Sequence, residues 1–116
     1  MPVLHLFISE GRFTSEQEVN EYIQPSYNED GDQIDSPFMK EIALSFFEPS
    51  CIETTFENYS IELCKILQGS SYEEQWVNKV PDNEKANVAI AVYEPNEVKK
   101  PNKSSLKYVG RYNYET

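Results

Sequence analysis

An α+β domain is predicted, with an antiparallel sheet of three or four strands packed against about four short helices in one unit spanning residues 1–116. Three observations predict it. First, Val3–Ile8 and Asn87–Tyr93 are apolar and rich in β-branched residues, as central strands are, and the second is so free of polar residues that both its faces should be covered. Second, Leu106–Tyr114 alternates apolar and polar residues like a half-buried antiparallel strand, with Tyr108, Tyr112 and Tyr114 on one face and Val109 opposite. Third, the stretches between carry short helical stripes, each preceded by a serine able to cap a helix.

The elements follow in order. Gly11 ends the first strand. Ser15-Glu16-Gln17-Glu18 fits a capping box, and Val19, Tyr22 and Ile23 give one apolar stripe to a helix that Gln24-Pro25 ends. Ser26–Ser36, reading SYNEDGDQIDS, holds Glu29, Asp30, Asp32 and Asp35 and no basic residue. Bracketed by Pro25 and Pro37, it is expected as an exposed, turn-rich loop between two helices, with Asp30-Gly31 making the tight bend. Ser36-Pro37 caps and opens a helix bearing Phe38, Met39, Ile42 and Ala43. Leu44–Phe56 suits either a strand at its Thr54-Thr55-Phe56 end or a helical turn, and Pro49 forbids one continuous element across it. Ser60 is expected to cap a helix with Ile61, Leu63, Cys64 and Leu67 inward, closed by Gly69. Ser71 should cap another, with Tyr72, Trp76, Val77 and Val80 at helical spacing and Trp76 in the core rather than at an interface. Pro95–Ser105, polar and lysine-bearing, is expected as an exposed loop or hairpin connection.

The totals bound the function. A chain of 116 residues with 39% apolar and 13% aromatic residues can bury one core unaided. No run approaches the ~20 residues that span a bilayer. The opening MPVLHLF has neither a basic segment nor a small-residue cleavage site, so a cytoplasmic protein is expected, with Cys51 and Cys64 reduced and packed as small core residues. A net charge of −10 disfavours direct contact with nucleic acid or an anionic membrane and favours cationic protein partners. The charge is also uneven. Residues 9–60 hold twelve acids against Arg12 and Lys40, whereas residues 61–116 hold eight acids against eight bases.

Catalytic and metal chemistry find little support. With Gly31 as the glycine of a calcium loop, the required bidentate glutamate would fall on Pro37 and the aliphatic position on Gln33. His5, the single histidine, lies mid-strand, where a packed or hydrogen-bonded role is expected. Cys51 and Cys64 have no zinc-like spacing, and no phosphate-cradling glycine loop or nucleophile motif occurs. No enzyme activity, metal or cofactor is expected. The residues expected at a partner interface are Tyr27, an exposed aromatic among charges, with Glu29, Asp30, Asp32 and Asp35, and then Glu48, Glu53 and Glu57. An acidic regulatory or scaffold domain, its charge serving solubility alone, is the alternative.

A sequence of motifs runs along the chain: Gly11-Arg12-Phe13, Glu18 to Tyr22, Tyr27 to Asp32, Ser36-Pro37-Phe38, Phe46-Phe47, Ile52-Glu53, and Gly69 with Ser71-Tyr72. Over about residues 3–93 this order resembles the immunity proteins of bacterial polymorphic toxin systems, in the family numbered twenty-two, and the acidic loop is its most specific part. The first strand departs from the family pattern, since Ser9-Glu10 separates Phe7-Ile8 from Gly11, and Pro95–Ser105 has no counterpart in the resemblance. The resemblance implies a non-catalytic cytoplasmic protein that binds and neutralises one cognate toxin, often a nuclease. It transfers no binding residues, and those named above rest on charge and expected exposure.

Overall fold

The computed structural model describes residues 2–44 and 46–116; Met1 and Ser45, the latter within the Leu44–Phe56 stretch, lie outside the described residues. Along the chain come β1 (Val3–Ser9), α1 (Glu16–Ile23), β2 (Ser26–Tyr27), β3 (Gln33–Ile34), α2 (Pro37–Glu41), β4 (Ile52–Glu62), α3 (Leu63–Ile66), α4 (Glu73–Trp76), β5 (Lys85–Tyr93) and β6 (Lys107–Asn113). One four-stranded antiparallel sheet has the order β4-β5-β1-β6, and β2 and β3 form a separate two-stranded hairpin. The α+β architecture is as the sequence predicts.

The two apolar runs occupy the two central positions, and their alternation feeds two cores. Leu4, Leu6 and Ile8 of β1 share one face with Ala89, Ala91 and Tyr93 of β5, packed against Leu63, Ile66, Leu67 and Trp76. Phe7 shares the other with Val88, Ile90 and Val92, under Val19, Tyr22, Ile23, Phe38, Met39 and Ile42 of the α1–α2 layer. Phe7 meets Phe38 edge-on at 5.2 Å between ring centroids. Burying each such side chain contributes about 1.5–3 kcal/mol, so helices on both faces are what the nearly all-apolar β5 requires.

Local rules start the first two helices, but the second ends at Glu41, short of the expected Ile42 and Ala43: Ile42 caps it, Ala43 turns to φ +52°, and the amides of Ala43 and Leu44 fold back onto the Lys40 and Met39 carbonyls. Ser15 Oγ accepts from the Glu18 amide, and Ser36 Oγ from that of Met39. Glu18 returns its carboxylate to Thr14, one residue earlier than a standard capping box has it.

Elsewhere long-range pairing overrides local signals. Ser60 caps no helix: β4 runs on to Glu62, held by the pairs Ile61↔Ala86 and Glu62↔Lys85 and by the Leu63 amide on the Glu84 carbonyl. The helix that follows is only Leu63–Ile66, and its stripe of Leu63, Ile66 and Leu67 leaves Cys64 exposed; Cys51, just before β4, is half-buried at the margin of the same core, so neither cysteine is a core residue. Ser71 caps nothing either, because its amide and hydroxyl go to the Glu53 carboxylate. Tyr72 precedes α4 at φ +60°, a strained conformation for a bulky residue, with its ring stacked on Tyr114 at 4.8 Å. In β6 the register shifts, Leu6 facing Gly110 and Phe7 facing Tyr108, so that Val109 is an extra residue. The bulge puts Tyr108 on the Phe7 face, while Val109, Tyr112 and Tyr114 share the other; the expected grouping of three tyrosines against Val109 does not occur. Pro95–Ser105 is not a hairpin, since β1 lies between β5 and β6. It is stapled down by buried Asn96, which bonds the main chain of Glu48 on both sides, and by a bridge from Leu44 to Val98.

One polar cluster ties the α1–α2 layer to this connection. Glu41 Oε1 accepts from Tyr22 Oη and from the amide (2.7 Å) and hydroxyl (3.0 Å) of Ser105, while Arg12 lies 4.6 Å from the Tyr22 ring centroid. Partial burial opposes the charge of Glu41, but these hydrogen bonds and the nearby Arg12 outweigh it and hold the carboxyl below its ordinary 4.5. A lowered carboxyl stabilises the fold fully above that ordinary value and loses its contribution as pH falls through the lowered one. Glu41→Gln is therefore expected to cost about 0.5–1 kcal/mol near neutral pH, a modest loss because solvent screens this partly exposed group, with the gap from the native chain closing in acid. Urea denaturation at the two pH values checks both, and a gap that does not shrink in acid would remove the electrostatic reading.

Candidate functional site: an acidic hairpin and the groove at its base

The acidic loop is an ordered hairpin. Ser26 pairs with Ile34 and Tyr27 with Gln33. Asn28 organises the turn between them: its Oδ1 accepts from the amides of Asp30 and Asp32, both at 2.9 Å, and its own amide donates to the Asp32 carbonyl at 3.1 Å. Gly31 donates to the Asn28 carbonyl and adopts φ +83°, a left-handed conformation that glycine takes without strain. Every residue from Ser26 to Asp35 is exposed. The side chains of Glu29, Asp30 and Asp32 are thus free of the main-chain bonds that close the turn, and Asp35 accepts from Gln33 Nε2. Among the described residues none of these carboxylates joins an ion pair, the single one formed being Lys107–Glu84.

Tyr27 stands in the same hairpin with 65% of its surface exposed, so it does not pin the loop to the sheet. Behind the hairpin, between its base and the outer face of α1, runs an open groove of about 650 Å³. Glu16, Gln17 and Glu21 line one wall and Ser26 and Asp35 the other, with no basic residue in the lining. The sequence reading names neither Glu16 nor Glu21 for this surface. Their signal was available, because they fall on the polar side of a helix whose apolar stripe is Val19, Tyr22 and Ile23.

The structure thus brings Tyr27, Glu29, Asp30, Asp32 and Asp35 together and leaves the second group elsewhere. Glu48 precedes β4 and accepts from the Ser50 amide. Glu53 receives the amide (3.0 Å) and hydroxyl of Ser71. Burial, reinforced by that Glu53 carboxylate, pushes ionisation of the adjacent Tyr93 hydroxyl well above its usual range. Glu57 is exposed on β4, as is Tyr59, an aromatic that sequence reasoning missed because no element was assigned to it. His5 Nδ1 lies 2.9 Å from Tyr108 Oη, the hydrogen-bonded role expected of it. Burial, then the charge of Arg111, lower its pKa against a smaller opposing pull from Glu94, so near neutral pH it is a neutral partner in the sheet.

Among the described residues no cluster of three or more histidine, cysteine or acidic side chains is placed to hold a metal ion, and no helix is long and apolar enough to cross a membrane. No curated protein and no solved structure matches the chain. A family model does: the one described as Immunity protein 22 matches residues 6–115, a span that takes in the Pro95–Ser105 connection left outside the resemblance over residues 3–93. With nearly its whole length matched, the chain belongs to the Immunity protein 22 family.

Proposed function

We propose that this chain is a non-catalytic inhibitor that binds one cognate toxin, a nuclease, through the acidic hairpin and the groove behind it. Family membership supports a toxin-neutralising role in general. The nuclease and the acidic contact are inferred from charge. A nuclease holds phosphates in a cationic cleft, and an acidic projection is attracted to such a cleft and associates with it faster than a neutral one. The observation that carries the reading is the hairpin itself: four carboxylates on an ordered turn whose residues are all exposed, without a basic neighbour in the segment. Tyr27 supplies the rigid aromatic contact, Glu29, Asp30, Asp32 and Asp35 the complementary charge, and Glu57 extends the acidic field. Glu48 contributes less, since its carboxylate already holds the Ser50 amide. Neither cofactor nor metal takes part, and the inhibitor works in the cytoplasm.

The test is a pull-down with the product of the neighbouring open reading frame at about 0.1 M and about 1 M salt, where the screening length falls from roughly 10 Å to 3 Å. Tight binding that weakens at the higher salt is the expected result. Equal binding at both salts would move the interface to apolar contacts. No binding at either would favour the regulatory or scaffold alternative.

A further inference from the structure

The main sheet has two free edges, and they differ in charge. β4 pairs with β5 on one side and faces no strand on the other among the described residues; it carries Glu53, Glu57 and Glu62 and no basic residue. The opposite edge, β6, carries Lys107 and Arg111 and no acid. Exposed edges are usually blunted by bulges and charges. In β4 the blunting is confined to one place, where Glu57, Asn58, Tyr59 and Ser60 stand against Asn87 alone and Tyr59 is thrown out to 78% exposure. Residues 52–56 keep an unbroken register with β5. Beside them, on the α3 face, the small side chains of Thr55, Ala89 and Ala91 leave a depression of about 200 Å³ bordered by Glu53. The two hydrogen bonds from Ser71 fix the Glu53 carboxylate at this border and leave it acceptor capacity.

We infer that the free edge of β4 over residues 52–56 receives an extended segment of the cognate toxin, which adds a fifth strand and lays a basic side chain beside Glu53 over the depression. This rests on the toxin-binding reading and adds a main-chain contact to the one made by the hairpin. Strand addition takes its affinity from main-chain hydrogen bonds and its specificity from alternate side chains, and an incoming strand about 4.8 Å from β4 brings every second side chain over the α3 face. The occupant is basic because the edge and the lining of the depression hold acid and no base. A second copy of this chain fits less well. β4 against β4 sets glutamates against glutamates, and β4 against β6 leaves one edge of each kind free at the ends, so association would run on until a ring closed or continue as an open filament.

Hydrogen–deuterium exchange of the full chain, alone and mixed with the product of the adjacent open reading frame, tests this. Amides within 52–56 should slow about tenfold or more in the complex. Thr54→Pro and Thr55→Pro give a second reading, because neighbouring residues of an antiparallel strand point their amides to opposite sides. The one whose amide points outward should keep its melting temperature and weaken the complex about tenfold, the worth of one hydrogen bond. A complex in which 52–56 gain no protection, and which that variant does not weaken, overturns the edge contact and leaves the hairpin reading standing. No complex at all overturns both. Protection that rises with concentration in the free chain would overturn it in favour of a second copy.

Discussion

Exchanging Asp30 and Asp32 together for lysine is expected to weaken toxin binding about a hundredfold or more at low salt, chiefly by slowing association, while the melting temperature stays within about 2 °C. The magnitude follows from close charge pairs at protein interfaces, which couple by about 1.5–7 kcal/mol, with like charges actively repelling, and from 1.4 kcal/mol being a factor of ten. The unchanged stability follows from the turn. Asp30 and Asp32 give Asn28 their main-chain amides, which any residue but proline supplies, and their side chains are exposed. Stopped-flow association and a thermal melt measure the two halves. Unchanged association would place the interface elsewhere on the molecule, and a large loss of stability would show that the carboxylates hold the hairpin together.

Trp76→Ala is expected to be the most damaging single change, at about 3–5 kcal/mol. Trp76 is fully buried; its indole lies 5.7 Å from the Tyr112 ring, and its Nε1–H donates to the Ser71 carbonyl at 3.0 Å. That carbonyl keeps a bond from Tyr93 Oη at 2.8 Å, so the loss is mainly of packed volume rather than of an orphaned acceptor. Domains of this size are stable by roughly 5–15 kcal/mol in total, so the melting temperature should drop by roughly 10–20 °C. Toxin binding, measured well below that temperature, should persist. A loss of stability under about 1 kcal/mol would contradict the core position, and a specific loss of binding would return Trp76 to an interface role. With the double exchange at the hairpin, this variant separates recognition from stability: each should change one property and spare the other.

What could be read from the residues, and what could not, divides along the range of the forces. The central strands, the first helix, the start of the second and the bend at Asp30-Gly31 are set within a few residues by side-chain alternation, serine caps and a flexible glycine, and the structure has them where the sequence puts them. Ser60 and Ser71 carry the same capping chemistry, yet the pairing of Ile61 with Ala86 keeps the first inside a strand and Glu53 takes the second as a hydrogen-bond donor, partners that lie far along the chain. The β6 bulge is invisible for a related reason, because alternation gives the faces of a strand only when no extra residue interrupts it. At the candidate site the charge and exposure of the hairpin were legible; the groove was not, since it exists only where α1 and the hairpin base come together.

The way Asn28 closes the hairpin has a consequence for how this molecule can change over generations. The turn depends on Asn28 and Gly31, while positions 29, 30 and 32 lend it nothing from their side chains beyond what the backbone gives. Those three positions can be rewritten in sign, size or shape with the core untouched. A library randomised there should yield mostly folded proteins with new preferences, so a lineage could exchange one opponent for another without passing through an unstable ancestor.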